Sequence, residues 1–514
     1  MSKSSESQST PTSLRFGITT WQNRPVSYTW TASGGNSGSG TLTTNNSALI
    51  TGLPAGEIIT LSIAPEIEAI TIAANSGNDK RRLVDVTQWG TATWSTMENA
   101  FSDCVNLNIT ATDMPDLSAV SSMRNMFRNC QSLTGPANIG SWNTANVTNM
   151  EGLFSIALAF NQDISSWNTA NVTDMRGMFV AARSFNQNIG NWNTTNVTNM
   201  QGMFQDARTF NQNIGNWNTQ NVTNMQGMFA YALAFNKDIS NWRTSNVTNM
   251  SYMFRDAKAF NQNISSWNTN AVTDMSWMFC NSIAFNQPIG NWNTAAVTNM
   301  SAMFASATSF NQDINNWNTA AVTNMNGMFD SGTFNKPIGN WNTAAVTDMH
   351  GMFNLARSFN QDISGWDVSS VIRLGYMFTQ ASAFNQNLGS WQLNPNVDMT
   401  SMLDNSGMDC QNYAFTLQGW ANNTNIPSGR NLGARDRQYG TNAVAARTLL
   451  TTAKGWTITG DSNRGTCIPP LPFITVWDMS KSSESQSTPT SLRFGITTWQ
   501  NRPVSYTWTA SGGN

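Results

Sequence analysis

Tryptophan recurs at a fixed interval through the middle of this 514-residue chain. Each step is 25 residues, except the step from Trp317 to Trp341, which is 24. The other apolar positions recur at the same interval, with polar residues between them. This pattern predicts a solenoid, whose stacked units bury an apolar face that one unit cannot bury alone. The tryptophans are Trp142, Trp167, Trp192, Trp217, Trp242, Trp267, Trp292, Trp317, Trp341, Trp366 and Trp391.

One unit, residues 197–221, shows the pattern in full. Its first half places apolar residues at i, i+3, i+6, i+7 and i+10, which predicts a helix with Thr198 or Asn199 as its N-cap. A short strand is predicted over residues 212–217. The predicted structural core consists of Trp192 from the preceding unit with Met200, Met203, Phe204, Phe210, Ile214 and Trp217.

Degenerate copies extend the register to about 13 units within residues 81–403. Stacked helices need ~8–10 Å and strands ~4.8 Å, so we expect a curved array with the strands inside. The predicted fold class is an α/β repeat solenoid that is leucine-rich-repeat-like in its period.

Different patterns flank the repeats. Residues 1–80 contain short alternating β-type runs between Gly-, Ser- and Asn-rich turns, which predict a small immunoglobulin-like β-sandwich. Residues 404–466 show helical patterns at 413–421 and 442–453 and then a strand, as expected of a C-terminal α/β cap. Residues 467–514 are predicted to be a linker and the start of another β-sandwich.

A duplication supports that last interpretation, since residues 479–514 are identical to residues 1–36. A β-type run absent before the first copy precedes the second: Phe473, Ile474, Thr475, Val476 and Trp477. The N-terminal sandwich is therefore predicted to lack its first strand, and the chain to be a window on a tandem array. Residues 473–477 are the predicted assembly strand, which would complete the sandwich of another copy, head to tail. A duplicated engineering tail is the alternative.

Composition argues against catalysis and nucleic-acid binding. His350 is the only histidine, and no paired motif for an acid, base or nucleophile is present, so no catalytic, cofactor-binding or metal-binding residue is assigned. The net charge is −2, and the single basic cluster is Lys80-Arg81-Arg82. There is no apolar run long enough for a transmembrane segment, and residues 1–14 lack the apolar core of a signal peptide.

Two cysteine pairs receive different predictions. Cys410 opens the cap and Cys467 follows its last strand, so a disulfide between them would close the cap in an oxidising compartment. Cys104 and Cys130 have equivalent positions on neighbouring predicted helices, which are too far apart for a disulfide. We expect these two to be buried thiols.

Three recurring polar or soft residues have both a functional and a structural interpretation. Paired methionines suit a pliable core better than a metal-thioether site. The asparagines after the repeat phenylalanine favour a ladder that satisfies backbone groups over a row of ligand contacts. N-V-T sequons are potential glycan acceptors, but they belong to the repeat consensus. The sequons are Asn146, Asn171, Asn196, Asn221 and Asn246, and the ladder asparagines are Asn161, Asn186, Asn211, Asn236, Asn261, Asn286, Asn311, Asn335, Asn360 and Asn385.

The repeats, such as residues 178–200, resemble those of the BspA-like leucine-rich-repeat bacterial surface proteins. QWGTATWSTMENAF at residues 88–101 looks like that family's entry segment, and YAFTLQGWA with GWTITGD, at 413–421 and 455–461, looks like its cap. The resemblance implies secretion to a cell surface and a role in adhesion. It brings no catalytic residues.

Two functions follow as hypotheses. The first is a structural, extracellular fibre or sheath built from tandem modules, whose partners are copies of the same chain. The second is a monomeric adhesin that binds a protein or glycan on the concave solenoid face. Exposed Tyr231 and Tyr252, with arginines at varied positions, would diversify such a face or would be tolerated surface variation. The arginines are Arg176, Arg183, Arg208 and Arg255.

Overall fold

The computed structural model describes residues 11–43, 45–72 and 78–467. The predicted assembly strand at residues 473–477 and the second copy of the N-terminal segment lie outside these residues. The described residues belong to one unit by their contacts.

Within residues 11–43 and 45–72, six strands precede the repeats and form two antiparallel three-stranded sheets. In one sheet the first strand lies between the fourth and the sixth, and in the other the second strand lies between the third and the fifth. Phe16, Val26, Leu42 and Ile50 come from both sheets and are buried in one core. The strands are β1 (Ser13–Thr20), β2 (Val26–Ala32), β3 (Ser37–Leu42), β4 (Asn45–Thr51), β5 (Ile59–Ile63) and β6 (Ile67–Thr71).

The outer edge of β6 bonds directly to the first repeat. The Ser95 amide donates to the Glu68 carbonyl at 2.9 Å, and the Ile72 amide donates to the Ala100 carbonyl at 2.9 Å. Two short parallel strands lie beside this junction, β7 (Asp85–Val86) and β8 (Asn108–Ile109). One end of the repeat stack is thereby covered by the sandwich.

Each repeat is a run of overlapping tight turns, and the predicted helix is not formed. Alternate amides bond within the unit: Met203 to Met200 at 3.2 Å, and Gln205 to Gly202 at 3.0 Å. The amides between them cross to the next unit, as from Gly202 to Gln226 at 2.8 Å. The helical apolar spacing survives, but every other backbone amide in this run donates to the next unit.

The predicted strand at residues 212–217 is not formed either. Parallel bridges instead link Asn199 with Asp174 and Asn224, and the same bridge recurs from unit to unit. Between β8 and the cap, the described residues contain no helix beyond the single turn Ile139–Ser141. Without helices stacked in these units, the packing distance of helices gives no reason to expect curvature.

Two positions in every unit have a left-handed backbone. In residues 197–221 the first left-handed position is Gly202 (φ 61°) and the second is Asp206 (φ 56°). A side chain in this conformation costs roughly 1–2 kcal/mol, which explains why glycine recurs at the first position. Over 13 units the first position holds Asn99, Asn125, Gly152, Gly177, Gly202, Gly227, Tyr252, Trp277, Ala302, Gly327, Gly351, Tyr376 and Ser401.

Aromatic side chains stack in continuous columns through the repeat core. Trp192 and Trp217 are parallel within 3°, with ring centroids 6.4 Å apart. Phe204 lies 5.6 Å from Phe229 in the next unit and 4.0 Å from Phe210 in its own. Each ring contacts rings in neighbouring units, so burial of one unit depends on the next.

The cap closes the other end of the stack by continuing its hydrogen-bond ladder. The Leu403 amide donates to the Gly433 carbonyl, and the Asn405 amide donates to the Arg435 carbonyl, both at 2.9 Å. The first helix of the cap begins after its N-cap Asp409, and the second continues as a π-helical turn, Leu449–Ala453. The cap elements are α1 (Cys410–Asn422), β9 (Asn431–Gly433), β10 (Gln438–Gly440), α2 (Val444–Thr448), β11 (Thr457–Thr459) and β12 (Ser462–Gly465).

Candidate functional site

The predicted core residues are all buried, and the tryptophans also make a polar contact. Trp217 is 3% exposed, and its indole nitrogen donates to the Ile189 carbonyl at 3.1 Å. Trp192 makes the equivalent bond to Ile164. These bonds cross between units, so the repeat tryptophans hold neighbouring units together.

The recurring asparagines form a ladder that satisfies backbone groups. The Asn186 amide donates to the Asn161 side-chain oxygen at 2.9 Å, and Asn211 repeats this contact with Asn186. Gln212 donates to both the Asn186 carbonyl and its side chain. The sequon asparagines behave similarly, since the Asn196 side-chain nitrogen donates to the Ala170 carbonyl at 2.7 Å. Their use as glycan acceptors stays a prediction.

The cysteines separate into one bonded pair and three buried thiols. The structure places Cys410 and Cys467 in a disulfide, with their Cα atoms 5.6 Å apart. Cys104, Cys130 and Cys280 are free and buried. Burial raises the pKa of the Cys104 thiol to about 12 and that of Cys280 to about 11, so neither is a reactive thiolate at neutral pH.

Replacing Cys467 with serine should destabilise the cap by about 2–4 kcal/mol, because the bond closes a long loop. Denaturant unfolding without reductant measures the loss, and adding reductant to the wild-type chain should reproduce it. Cys280→Ser is the matched control: Cys280 is free, so this variant keeps the disulfide, and reductant should destabilise it as it does the wild type. A free Cys467 thiol in non-reducing peptide mapping of the wild type would contradict this expectation.

The varied arginines pair with acidic neighbours on the repeat surface. Arg176 contacts both Glu151 and Asp174, while Arg183 and Arg208 share Asp206. Exposed ion pairs of this kind add little stability. Because each guanidinium is already paired, these residues do not form a cationic surface for a ligand.

Arg255 differs because it lies among aromatic rings. Its guanidinium is 5.5 Å from the centroid of Tyr231, 5.7 Å from Tyr252 and 4.9 Å from Trp277. Tyr231 and Tyr252, expected to be exposed, are instead half-buried against this group. Trp277 stacks on Tyr252 with a centroid distance of 6.0 Å, in a cluster that the repeat pattern did not predict.

A cavity opens on the same surface, beyond Trp277. Its volume is about 250 Å³, and residues from three consecutive units line it. The lining consists of Asn326, Gly327, Asp330, His350, Gly351, Asn354 and Tyr376. The sequence contained one signal of this surface: aromatic residues replace the recurrent glycine at Tyr252, Trp277 and Tyr376.

Within residues 11–43, 45–72 and 78–467, no group of three or more His, Cys, Asp or Glu side chains is arranged to hold a metal ion. The helices of that part of the chain are also too short or too polar to cross a membrane.

Comparison with known proteins identifies the repeats. No curated protein matches the chain. The family model described as "Mycoplasma protein of unknown function, DUF285" matches four overlapping segments in tandem, residues 95–213, 187–279, 262–333 and 313–416. Together the segments cover more than half of the chain, from the junction with the sandwich into the cap. The protein is thus a tandem-repeat protein and a member of the DUF285 family.

Proposed function

We propose that this chain is a non-catalytic, extracellular structural module that joins copies of itself head to tail into a cell-surface fibre or sheath. In this proposal the DUF285 repeats form a leucine-rich-repeat-like solenoid, and the β-sandwich is the joint. The resemblance to BspA-like surface proteins supports the location. A disulfide between Cys410 and Cys467 supports an oxidising compartment.

The observation that carries the proposal is the identity of residues 479–514 with residues 1–36. In the described copy, these residues include β1 and β2, the central strands of the two sheets. The 514 residues thus hold two copies of the β1–β2 sequence and one of β3 to β6. Because its sequence is the same, the second β1–β2 segment can take the place of β1 and β2 in the sandwich of another chain. The swapped sandwich would make the same contacts as the unswapped one.

Residues 473–477 offer a second way to join. Among the described strands, β4 pairs with β1 alone, and β3 and β5 each pair with β2 alone, so these three lie at sheet edges. An edge strand presents backbone donors and acceptors that an incoming strand can use. An apolar β-type segment such as residues 473–477 suits this addition.

Deleting residues 472–514 tests the proposal. The shortened chain should be monomeric in sedimentation velocity and in negative-stain images, whereas the full chain should form strings that lengthen with concentration. Melting of the repeats should be unchanged, because the bonds between units lie within residues 95–409. Assembly of the shortened chain, or a monomeric full chain, would overturn the proposal. Deleting residues 479–514 alone then shows whether residues 473–477 suffice.

A further inference from the structure

We infer that the surface between Trp277 and Tyr376 is a binding site for an uncharged oligosaccharide, separate from the head-to-tail joint. We call this surface the aromatic-walled groove. Its floor is the first left-handed position of three consecutive units, Ala302, Gly327 and Gly351, and its walls are Trp277 and Tyr376 at the same position on either side.

The order of these units follows from the backbone bonds. The Trp277 amide donates to Ser301, the Ala302 amide to Asn326, and the Gly327 amide to His350, at 2.7–2.9 Å. Four steps separate the two walls, which at the spacing of parallel strands is about 19 Å. The groove is therefore long enough for several sugar rings.

Trp277 has one face prepared for stacking. Tyr252 lies parallel to it within 6° on one side, and Arg255 lies 4.9 Å from its ring centroid. On the side of the next unit the equivalent residue is Ala302, which with Cys280 and Ala305 forms a small apolar cluster against the indole. A flat apolar ring can occupy the place above Ala302 that an aromatic side chain holds at Tyr252.

Both wall residues adopt a left-handed backbone conformation, which residues with side chains disfavour. Trp277 and Tyr376 both have φ near 60°, a region where the repeat otherwise favours glycine. Tyr376 is also 43% exposed, so burial of its ring contributes little stability. A strained, exposed aromatic residue in place of the recurrent glycine indicates a role outside folding.

The groove also supplies polar groups of the kind that bind hydroxyls. The Asp330 carboxylate accepts from Asn354 at 3.1 Å and from Ser331 at 2.8 Å, and its burial raises its pKa above the ordinary value. His350 lies 5.3 Å from the Tyr376 ring centroid, and its Nδ1 makes no hydrogen bond with any described residue. Asn326 lines the same cavity.

This chemistry selects a saccharide over other ligands. The C–H face of a pyranose ring packs on Trp and Tyr rings, and its hydroxyls both donate to a carboxylate and accept from amide or imidazole nitrogen. The carboxylate of Asp330 disfavours phosphates and other anions. The cavity provides no second acidic side chain to favour a cation.

The test uses the full chain and a panel of neutral trisaccharides: maltotriose, cellotriose, mannotriose and chitotriose. Saturation-transfer NMR detects binding. Because His350 is the only histidine, a shift of the imidazole signal shows that the sugar binds at the groove. At least one trisaccharide should bind and shift that signal. Trp277→Gly and Tyr376→Gly both restore the recurrent glycine. Tyr376→Gly should melt at or above the wild-type temperature, because the ring is 43% exposed, whereas Trp277→Gly also loses its stacking on Tyr252 and should melt lower. Each should bind about tenfold more weakly or worse, as expected for loss of a stacking ring.

Ile156→Gly is the matched control, because it relieves a left-handed side chain in a remote unit and should leave binding unchanged. The inference is overturned if no trisaccharide binds, or if binding leaves the His350 signal in place. It is also overturned if both groove variants bind as the wild type does. If only an aromatic peptide shifts the His350 signal, the groove is a protein-docking surface and the saccharide assignment is wrong. None of these outcomes bears on assembly, which the deletion of residues 472–514 tests separately.

Discussion

A chain that begins at residue 37 is expected to fold its β-sandwich only in association with other chains. The deletion removes β1 and β2, so β4 and β6 lose the strand between them, as do β3 and β5. Residues 479–514 carry the same sequence and can restore both central strands from another chain. We expect this chain to be entirely oligomeric at micromolar concentration, with oligomers that grow as concentration rises. Sedimentation velocity and negative-stain microscopy measure the effect.

The control for this prediction is residues 37–478, which contain neither copy of the central strands. Its β4 and β6 amides should exchange with solvent freely, while the amides that cross between repeats stay protected. A folded monomer of residues 37–514 would mean that the C-terminal copy pairs within its own chain. Fast exchange of the β4 and β6 amides in residues 37–514 as well would mean that the copy is not a strand donor.

The period and the core of the repeats could be predicted because burial depends on which positions recur. Every predicted core residue, from Trp192 to Trp217, is buried. The secondary structure within each unit could not be predicted, because overlapping tight turns give the same apolar spacing as a helix. One signal was present: Gly202 and Gly227 recur where a helix interior would stand, and glycine is disfavoured there. A recurrent glycine flanked by apolar residues favours a left-handed turn over a helix.

The aromatic-walled groove could not be predicted from the sequence, for a different reason. Its residues come from five units, and they share a surface only because the first left-handed positions align from unit to unit. A helical interpretation of the repeat also aligns Trp277 with Tyr376, because equivalent positions stack in any solenoid. Their departure from glycine becomes informative once the backbone at that position is known to be left-handed.

Trp217→Ala in the middle of the array should lower the stability of the repeats by roughly 3–5 kcal/mol. The side chain is 3% exposed and lies between Trp192 and Trp242, with ring centroids at 6.4 and 6.5 Å. Its loss leaves a cavity in a shared column and removes the bond to the Ile189 carbonyl. Since each unit is buried by its neighbours, the damage should spread to both sides of the substitution.

Hydrogen exchange is the suitable measurement, because a long repeat array need not unfold in one step. In Trp217→Ala, the crossing amides of Gly202 and Gly227 should lose protection, while that of Gly351, far along the stack, should keep it. Trp217→Phe should have an intermediate effect, since it retains one ring in the column but loses the indole hydrogen bond and the volume of the second ring. Trp21→Ala is the surface control, as Trp21 is 50% exposed, and it should leave repeat protection unchanged. If Trp217→Ala keeps its exchange pattern but no longer attaches to a surface, Trp217 is a binding residue, and its assignment to the structural core is wrong.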